Sequence, residues 1–295
     1  MKPPTELALK GFAVEEWTDV HFFRPLGARL AHALQPTRIS ADQVTLACLV
    51  LGLAGGHLFI YQSVALNLVG VVLFVASDVL DSADGQLARL RGTSSRFGRI
   101  LDGLADSARF LNFYIHLVVR LALAHHGWTG ALLVLTAATA HSLQAQVVDF
   151  VRNAYLRLAE RGRGELDLPE ELAPPTGGSG RRLAARLYRT YVHRQEWLFP
   201  HSLALVRAVP EPLPAGLAEA YAQRQRPVVS LLALIGQNIR FPLLALGAIA
   251  GMRVYLWITL VPLSLVMLAI TTLQERHASA LAADMAAAQK VRVHA

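Results

Sequence analysis

Six apolar segments, each close to the length of a membrane-spanning helix, constrain this chain more than any other feature of its sequence. They lie at about 44–62, 64–82, 107–124, 129–151, 228–250 and 254–273. A helix of about 20 residues crosses the roughly 30 Å hydrocarbon core of a bilayer. We therefore predict an all-α, polytopic membrane protein with six transmembrane helices.

Composition supports a membrane class. Hydrophobic residues make up 54% of the chain and charged residues only 17%, whereas soluble domains carry about 25% charged residues. The net charge of +7 is concentrated in particular loops, which favours anionic lipid headgroups over nucleic acid as its partner. The single cysteine, Cys48, lies in an apolar run and is expected to be a small buried side chain rather than part of a disulfide.

The distribution of arginine predicts the orientation. The connections at 62–63, 125–128 and 251–253 are short and nearly uncharged, whereas the opposite set carries many arginines. By the positive-inside rule both termini face the cytoplasm, and we expect a multi-pass protein of the inner (cytoplasmic) cell membrane. The N-terminus lacks the apolar core of a signal peptide, so no cleavage is expected there.

The predicted domain plan has three parts: residues 1–42, a six-helix membrane domain at 43–274, and a cytoplasmic tail at 275–295. In the first part, 13–34 mixes aromatic residues with arginines, as in a helix lying in the membrane interface. Packing of that helix on the rest of the protein is an equally good explanation, and both can hold. Pro25 predicts a break or restart within it.

The membrane domain contains a long cytoplasmic insert at 152–226. Its Pro-, Gly- and acid-rich first part predicts an exposed loop, and the stretch RRLAARLYRTYVHRQEWLF predicts a basic amphipathic helix. A surface anchor, a lid and a partner site all remain open for this insert.

Four carboxylates between residues 78 and 106 are the strongest chemical signal. Asp81 and Asp84 form one pair and Asp102 and Asp106 another, at spacings that place each pair on one helix face. Two such helices side by side would bring four carboxylates into a small volume, which requires cations between them. Oxygen ligands without His or Cys favour magnesium, manganese or calcium. The alternative, aspartates that simply face water, is disfavoured by the strongly apolar flanks.

The same stretch resembles the full signature of the CDP-alcohol phosphotransferases, also called CDP-alcohol phosphatidyltransferases. The matching positions are Asp81, Asp84, Gly85, Ala88, Arg89, Gly98, Asp102 and Asp106. The resemblance extends over about 36–150. It implies that Asp81, Asp84, Asp102 and Asp106 hold Mg²⁺ or Mn²⁺, with two ions per site, and that Asp106 is also the base that deprotonates the acceptor hydroxyl.

The resemblance also implies nucleotide or pyrophosphate contacts at Gly85, Ala88, Arg89, Gly98 and Thr45. Each has an alternative structural role: close helix packing for Gly85, Gly98 and Ala88, membrane-edge anchoring for Arg89, and helix capping for Thr45. Ala41-Asp42 stands where the family usually carries Pro-Asn.

The implied reaction is attack of an alcohol on the phosphorus that bears the transferred group, which expels CMP. Either CDP-diacylglycerol donates to a small polar alcohol, which we favour, or a CDP-linked small alcohol donates to a diacylglycerol. Gln146, Asp149, Arg152 and Arg240 are candidate acceptor-binding residues, and interhelical hydrogen bonds or snorkelling arginines explain them equally well.

Two other classes of membrane protein fit this sequence less well. A non-catalytic scaffold would usually have lost part of the signature, and a transporter would be expected to place its ionisable groups near the bilayer midplane. By resemblance only, we also expect a homodimer.

Overall fold

The structure is a computed structural model of the chain and describes residues 14–93, 96–160, 166–172, 178–209 and 215–294. Within these ranges every regular element is a helix, which confirms the predicted all-α class. The α-helices are α1 (Arg24–Leu34), α2 (Ala41–His57), α3 (Val64–Arg91), α4 (Arg96–Leu121), α5 (Gly127–Leu158), α6 (Ser179–Leu198), α7 (Pro200–Ala208), α8 (Ala215–Leu231), α9 (Arg240–Ala250), α10 (Met252–Leu260) and α11 (Pro262–His294).

Four helical stretches of the described residues are long and apolar enough to cross a membrane. They are Ala41–Ile60, Val64–Arg91, Gly127–Leu158 and Met252–Ala287. Ala41–Ile60 covers most of the predicted segment 44–62, and each of the other three contains one predicted apolar segment. Together they indicate a multi-pass membrane protein.

The other two predicted spans differ from the structure, so the count of six is not confirmed. Segment 107–124 falls largely in α4, whose first half carries several charged side chains that lower its hydropathy. A single helix over 228–250 was wrong, because α8 ends at Leu231 and α9 begins at Arg240. Polar residues between these helices form hydrogen bonds with a distant part of the chain: the Asn238 side-chain amide donates to Asp19 Oδ1 at 3.0 Å.

The described part of the chain separates into two compact units. The first contains residues 15–142 and 237–262, and the second contains residue 14 together with 143–236 and 263–294. Aromatic side chains fill the core of the first unit. Phe113 packs edge-to-face on Phe59 with ring centroids 5.0 Å apart, and it also contacts Phe74 and Tyr255.

Well-defined helix ends fix the part of the first unit that carries the carboxylates. Ser40, which precedes the first apolar segment, caps α2 through its side chain in a reciprocal capping box with Gln43. Helix α3 stops at Gly92, whose φ of 66° is left-handed. Helix α4 begins at Arg96, well before the apolar segment that starts at about residue 107.

Arg91, in the last turn of α3, secures the loop before α2. Its guanidinium donates to the backbone carbonyls of Leu34, Gln35, Thr37 and Ile39 at 2.5–3.1 Å. A single side chain therefore connects the end of α1 to the end of α3.

Glycines allow α2 and α3 to approach closely. A Cβ built on Gly70 would lie 2.8 Å from the Gly55 carbonyl oxygen and 2.8 Å from a Phe59 ring carbon. Small residues at a helix contact are typical of packing in membranes, where van der Waals contact rather than the hydrophobic effect holds helices together.

Within the second unit, the helices are held together by polar side chains as well as by aromatic stacking. The Phe150 and Phe199 rings stack with centroids 3.9 Å apart. Glu275 accepts hydrogen bonds from the backbone N–H groups of His201 and Ser202 in the first turn of α7, which satisfies two donors that the helix itself leaves unpaired.

The N-terminal and insert predictions are met in part. A π-helical turn at Asp19–Phe23 gives way to α1 at Arg24, with Pro25 in the first turn of the α-helix. The chain stays helical there, and the start of α1 at this point confirms the predicted restart. The basic amphipathic helix of the insert is present as α6. Residues 1–13 and parts of the acidic loop lie outside the described residues, and interfacial placement of α1 stays a prediction.

The Gly70 contact can be tested by adding one methyl group. Gly70→Ala forces the α2–α3 contact apart and is expected to destabilise the protein by about 1–3 kcal/mol. Gly103→Ala on α4 is the matched control, because a Cβ there meets nothing within 4 Å. Thermal unfolding in detergent should show a lower Tm for the first variant only; equal Tm values would contradict the packing.

Candidate active site

Three of the four predicted aspartates meet between α3 and α4. Carboxylate oxygens of Asp81 and Asp84, on α3, and of Asp102, on α4, all lie within 4.8 Å of one another. The end of α3 and the start of α4 therefore face each other. The structure therefore brings together side chains that are up to 21 residues apart in sequence.

The electrostatics of this cluster favour a bound cation. Asp84 is 5% exposed, and burial disfavours an uncompensated carboxylate. Converging carboxylates also repel one another, and a divalent ion between them removes both penalties. Three carboxylate ligands without nitrogen or sulfur suit Mg²⁺ or Mn²⁺ better than zinc. The residues present therefore fit a hard divalent metal.

Thr45 of α2 lies directly on this cluster. Its hydroxyl is 2.6 Å from Asp84 Oδ2 and 3.1 Å from the Ala41 carbonyl oxygen. The shorter contact orients the Asp84 carboxylate, which gives α2 a role in shaping the cluster.

Asp106, one turn further along α4, has a different environment. It is not part of the group of three, and its Oδ1 is paired with the guanidinium of Arg109 on the same helix. Nη1 of Arg109 also donates to Asp78 Oδ1 at 3.0 Å and to Ser77 Oγ at 2.6 Å, and Nη2 lies 3.8 Å from Asp81 Oδ1. Arg109 thus links the Asp106 carboxylate to the acidic face of α3.

Arg109 is held from a third side by α2. The Ser77 hydroxyl that accepts from Arg109 donates in turn to the Cys48 carbonyl oxygen at 2.8 Å. A Cβ built on Gly52 would lie only 2.2 Å from Arg109 Cδ. The absence of a side chain at residue 52 therefore makes room for the buried guanidinium stem.

Sequence reasoning did not identify Asp78 or Arg109 as part of the site. The signal was present: Asp78 precedes Asp81 by three residues, and Arg109 follows Asp106 by three. Each therefore extends the helix face that its neighbouring aspartate occupies. An arginine flanked by apolar residues within a predicted span was also a reason to look for its carboxylate partner.

The predicted nucleotide-binding residues line the same end of the two helices. Arg89 Nη1 would be 3.5 Å from a Cβ built on Gly85, and no other atom of the described residues crowds that position. Close helix packing therefore does not explain Gly85. Ala88 and Gly98 are half-buried, near the end of α3 and in the first turn of α4 respectively.

The acceptor candidates have other contacts. In the second unit, Gln146 Nε2 donates to the Tyr191 carbonyl oxygen at 2.7 Å, and the Tyr191 hydroxyl donates to Asp149 Oδ2 at 2.5 Å. Arg152 is half-buried on α5. In the first unit, Arg240 is only 2% exposed at the start of α9. Gln146 and Asp149 therefore hold the insert helix α6 to α5, in line with the structural alternative.

Comparison with protein families finds a match for part of the chain. The model of the family described as CDP-alcohol phosphatidyltransferase matches residues 38–158, less than half of the chain. The matched segment contains α2 to α5 and with them all four aspartates. A comparison with curated proteins finds no match to this chain.

The carboxylate cluster predicts stabilisation by metal. A ligand at 100 times its dissociation constant stabilises the folded state by about 2.7 kcal/mol, so Mn²⁺ or Mg²⁺ should raise the Tm in detergent. Asp84→Asn should lose most of this shift, because the variant keeps an acceptor for Thr45 but removes a charged ligand. Asp284→Asn, which changes an exposed carboxylate paired with Arg224, is the control. A metal-induced shift that is the same in all three proteins would refute the site.

Proposed function

With residues 38–158 assigned to the CDP-alcohol phosphatidyltransferase family, we propose that the protein transfers a phosphatidyl group from CDP-diacylglycerol to a small polar alcohol and releases CMP. The family match gives the coarser activity, transfer of a substituted phosphate from a CDP-alcohol. The single observation that supports a metal-dependent reaction is the convergence of Asp81, Asp84 and Asp102.

We assign the metal to these three aspartates, with Asp106 contributing to a second ion. A divalent ion bound there would neutralise pyrophosphate charge and orient the phosphoryl group for attack. Thr45 keeps the Asp84 carboxylate turned toward the cluster.

Asp106 is the residue we assign as general base. The acceptor hydroxyl oxygen forms a bond to the phosphorus that carries the diacylglycerol, the bond from that phosphorus to the CMP oxygen breaks, and the hydroxyl proton passes to Asp106. Arg109 pairs with Asp106 and is itself fixed by Asp78 and Ser77. This support limits the rotation of the carboxylate and keeps the base in one orientation.

Arg89 and Gly85 fit recognition of the donor. Arg89 is exposed and its guanidinium reaches back along α3 over Gly85. A planar guanidinium matches the paired oxygens of a pyrophosphate. The open position at Gly85 leaves room for the nucleotide beside it. Ala88 and Gly98 have little or no side chain and so leave further room for it.

The remaining proposals follow from the family and from charge. Phospholipid biosynthesis at the cytoplasmic face of the inner membrane is consistent with the loop arginines. Arg152 and Arg240 stay candidates for an acceptor phosphate, and a homodimer stays a proposal.

The activity is tested by CMP release from purified protein in lipid–detergent micelles with CDP-diacylglycerol, Mn²⁺ or Mg²⁺, and a panel of small alcohols. Asp106→Asn should lower kcat about 100-fold to 10,000-fold, the usual contribution of a general base. Asp284→Asn should behave as wild type.

The same assay separates the alternatives. Release only from a CDP-linked small alcohol with diacylglycerol would reverse the donor and acceptor. No release from either donor, in protein that still binds CDP, would contradict the enzyme and support a non-catalytic scaffold.

The role of Arg109 as a positioning residue makes a separate prediction. Arg109→Lys keeps the charge but cannot reach Ser77, Asp78 and Asp106 together, so kcat should fall about 10-fold to 100-fold, as for outer-shell partners of other sites. Arg120→Lys, on the same helix but bonded to Phe59 and Asn67, is the matched control. A rise in donor KM without loss of kcat would contradict the positioning role.

A further inference from the structure

One face of helix α6 in the insert packs against the rest of the second unit. Ala184, Val192 and Gln195 on this face are buried. Tyr191 ties the same face to α5 through the Asp149 carboxylate and the Gln146 amide. These contacts fix the rotation of α6 about its axis and determine which side chains are left outside.

The opposite side carries large apolar side chains that no part of the unit covers. Leu183 is 58% exposed, Leu187 is 51% exposed and Trp197 is 79% exposed. At about 100° per residue these positions fall within an arc of about 80°. Leu183, Leu187 and Trp197 therefore share one face of the helix, on which the exposed Thr190 and Arg194 also lie between Leu187 and Trp197, and we call this face the α6 strip.

Basic side chains border the α6 strip on one side. At the same helical pitch, Arg182, Arg186 and Arg189 occupy the adjacent arc, and Arg194 lies within the strip itself. Arg182, Arg186 and Arg194 are exposed. An apolar strip with a tryptophan and an arginine border matches a bilayer surface, where the apolar side chains enter the interface and the guanidiniums meet phosphates.

We propose that α6 is an interfacial docking helix whose α6 strip inserts into an anionic lipid surface. The charge complementarity of the arginines selects anionic headgroups over a neutral surface. Helix α6 is held close to the lipid surface by its hydrogen bonds to α5, because α5 is long and apolar enough to span the membrane. Docking fixes the insert at the membrane surface independently of the carboxylate cluster.

The test uses the full chain with Trp197 as its only tryptophan, after Trp17, Trp128 and Trp257 are changed to phenylalanine. The protein is reconstituted into vesicles of phosphatidylcholine with increasing phosphatidylglycerol, with and without brominated acyl chains. We expect bromolipid quenching and a blue-shifted emission that both grow with phosphatidylglycerol content. Iodide in the aqueous phase should quench little.

Two charge variants in the same background locate the effect. The triple variant R182Q/R186Q/R189Q should lose the dependence on phosphatidylglycerol and shift its emission toward that of tryptophan in water. The triple variant R29Q/R226Q/R253Q removes the same charge elsewhere and should retain the dependence.

Two results would overturn the proposal. Quenching of Trp197 by iodide but not by bromolipid would show a strip that faces water at every lipid composition. Protection from both quenchers would show a protein contact instead, such as a second copy of the chain. Neither result depends on CMP release, so failure here is distinguishable from failure of the proposed activity.

Discussion

Repulsion among converging carboxylates is the constraint on which this architecture depends. Asp81, Asp84 and Asp102 approach within 4.8 Å at the ends of apolar helices, where water cannot fully screen them. A fold selected only for stability would keep such groups apart or neutralise them. A divalent cation among them would remove this repulsion, and a cation held by oxygen ligands next to an exposed arginine would suit a pyrophosphate substrate.

The surrounding helices are arranged to keep this costly cluster in place. Gly55 and Gly70 let α2 approach α3, and Gly52 admits the side chain of Arg109 between the helices. Arg109 then connects Ser77 and Asp78 of α3 to Asp106 of α4. Packing and chemistry are therefore coupled here: a methyl group added at residue 52 would disturb the orientation of a carboxylate more than 50 positions away in sequence.

Much of the local structure could be predicted because it follows from short-range rules. The cap at Ser40, the start of α4 near Arg96 and the helical insert depend on neighbouring residues and periodicity. The break between α8 and α9 was missed because hydropathy averages over a window and does not register polar residues such as Asn238 that find a distant partner.

The candidate site likewise has a part that could be predicted from the sequence and a part that could not. The aspartates were predicted because their spacing places them on helix faces. The contacts of Arg109, and the engagement of Gln146 and Asp149 by Tyr191, depend on which helices become neighbours, and no spacing within one segment specifies that.

The most direct test of the central claim is the position of a metal in the protein itself. Crystals grown with MnCl₂ and a CDP-alcohol should show anomalous manganese scattering between the carboxylates of Asp81, Asp84 and Asp102, with the pyrophosphate on the same ions and near Arg89. Manganese absent from these carboxylates while the CDP-alcohol is bound elsewhere would contradict the account.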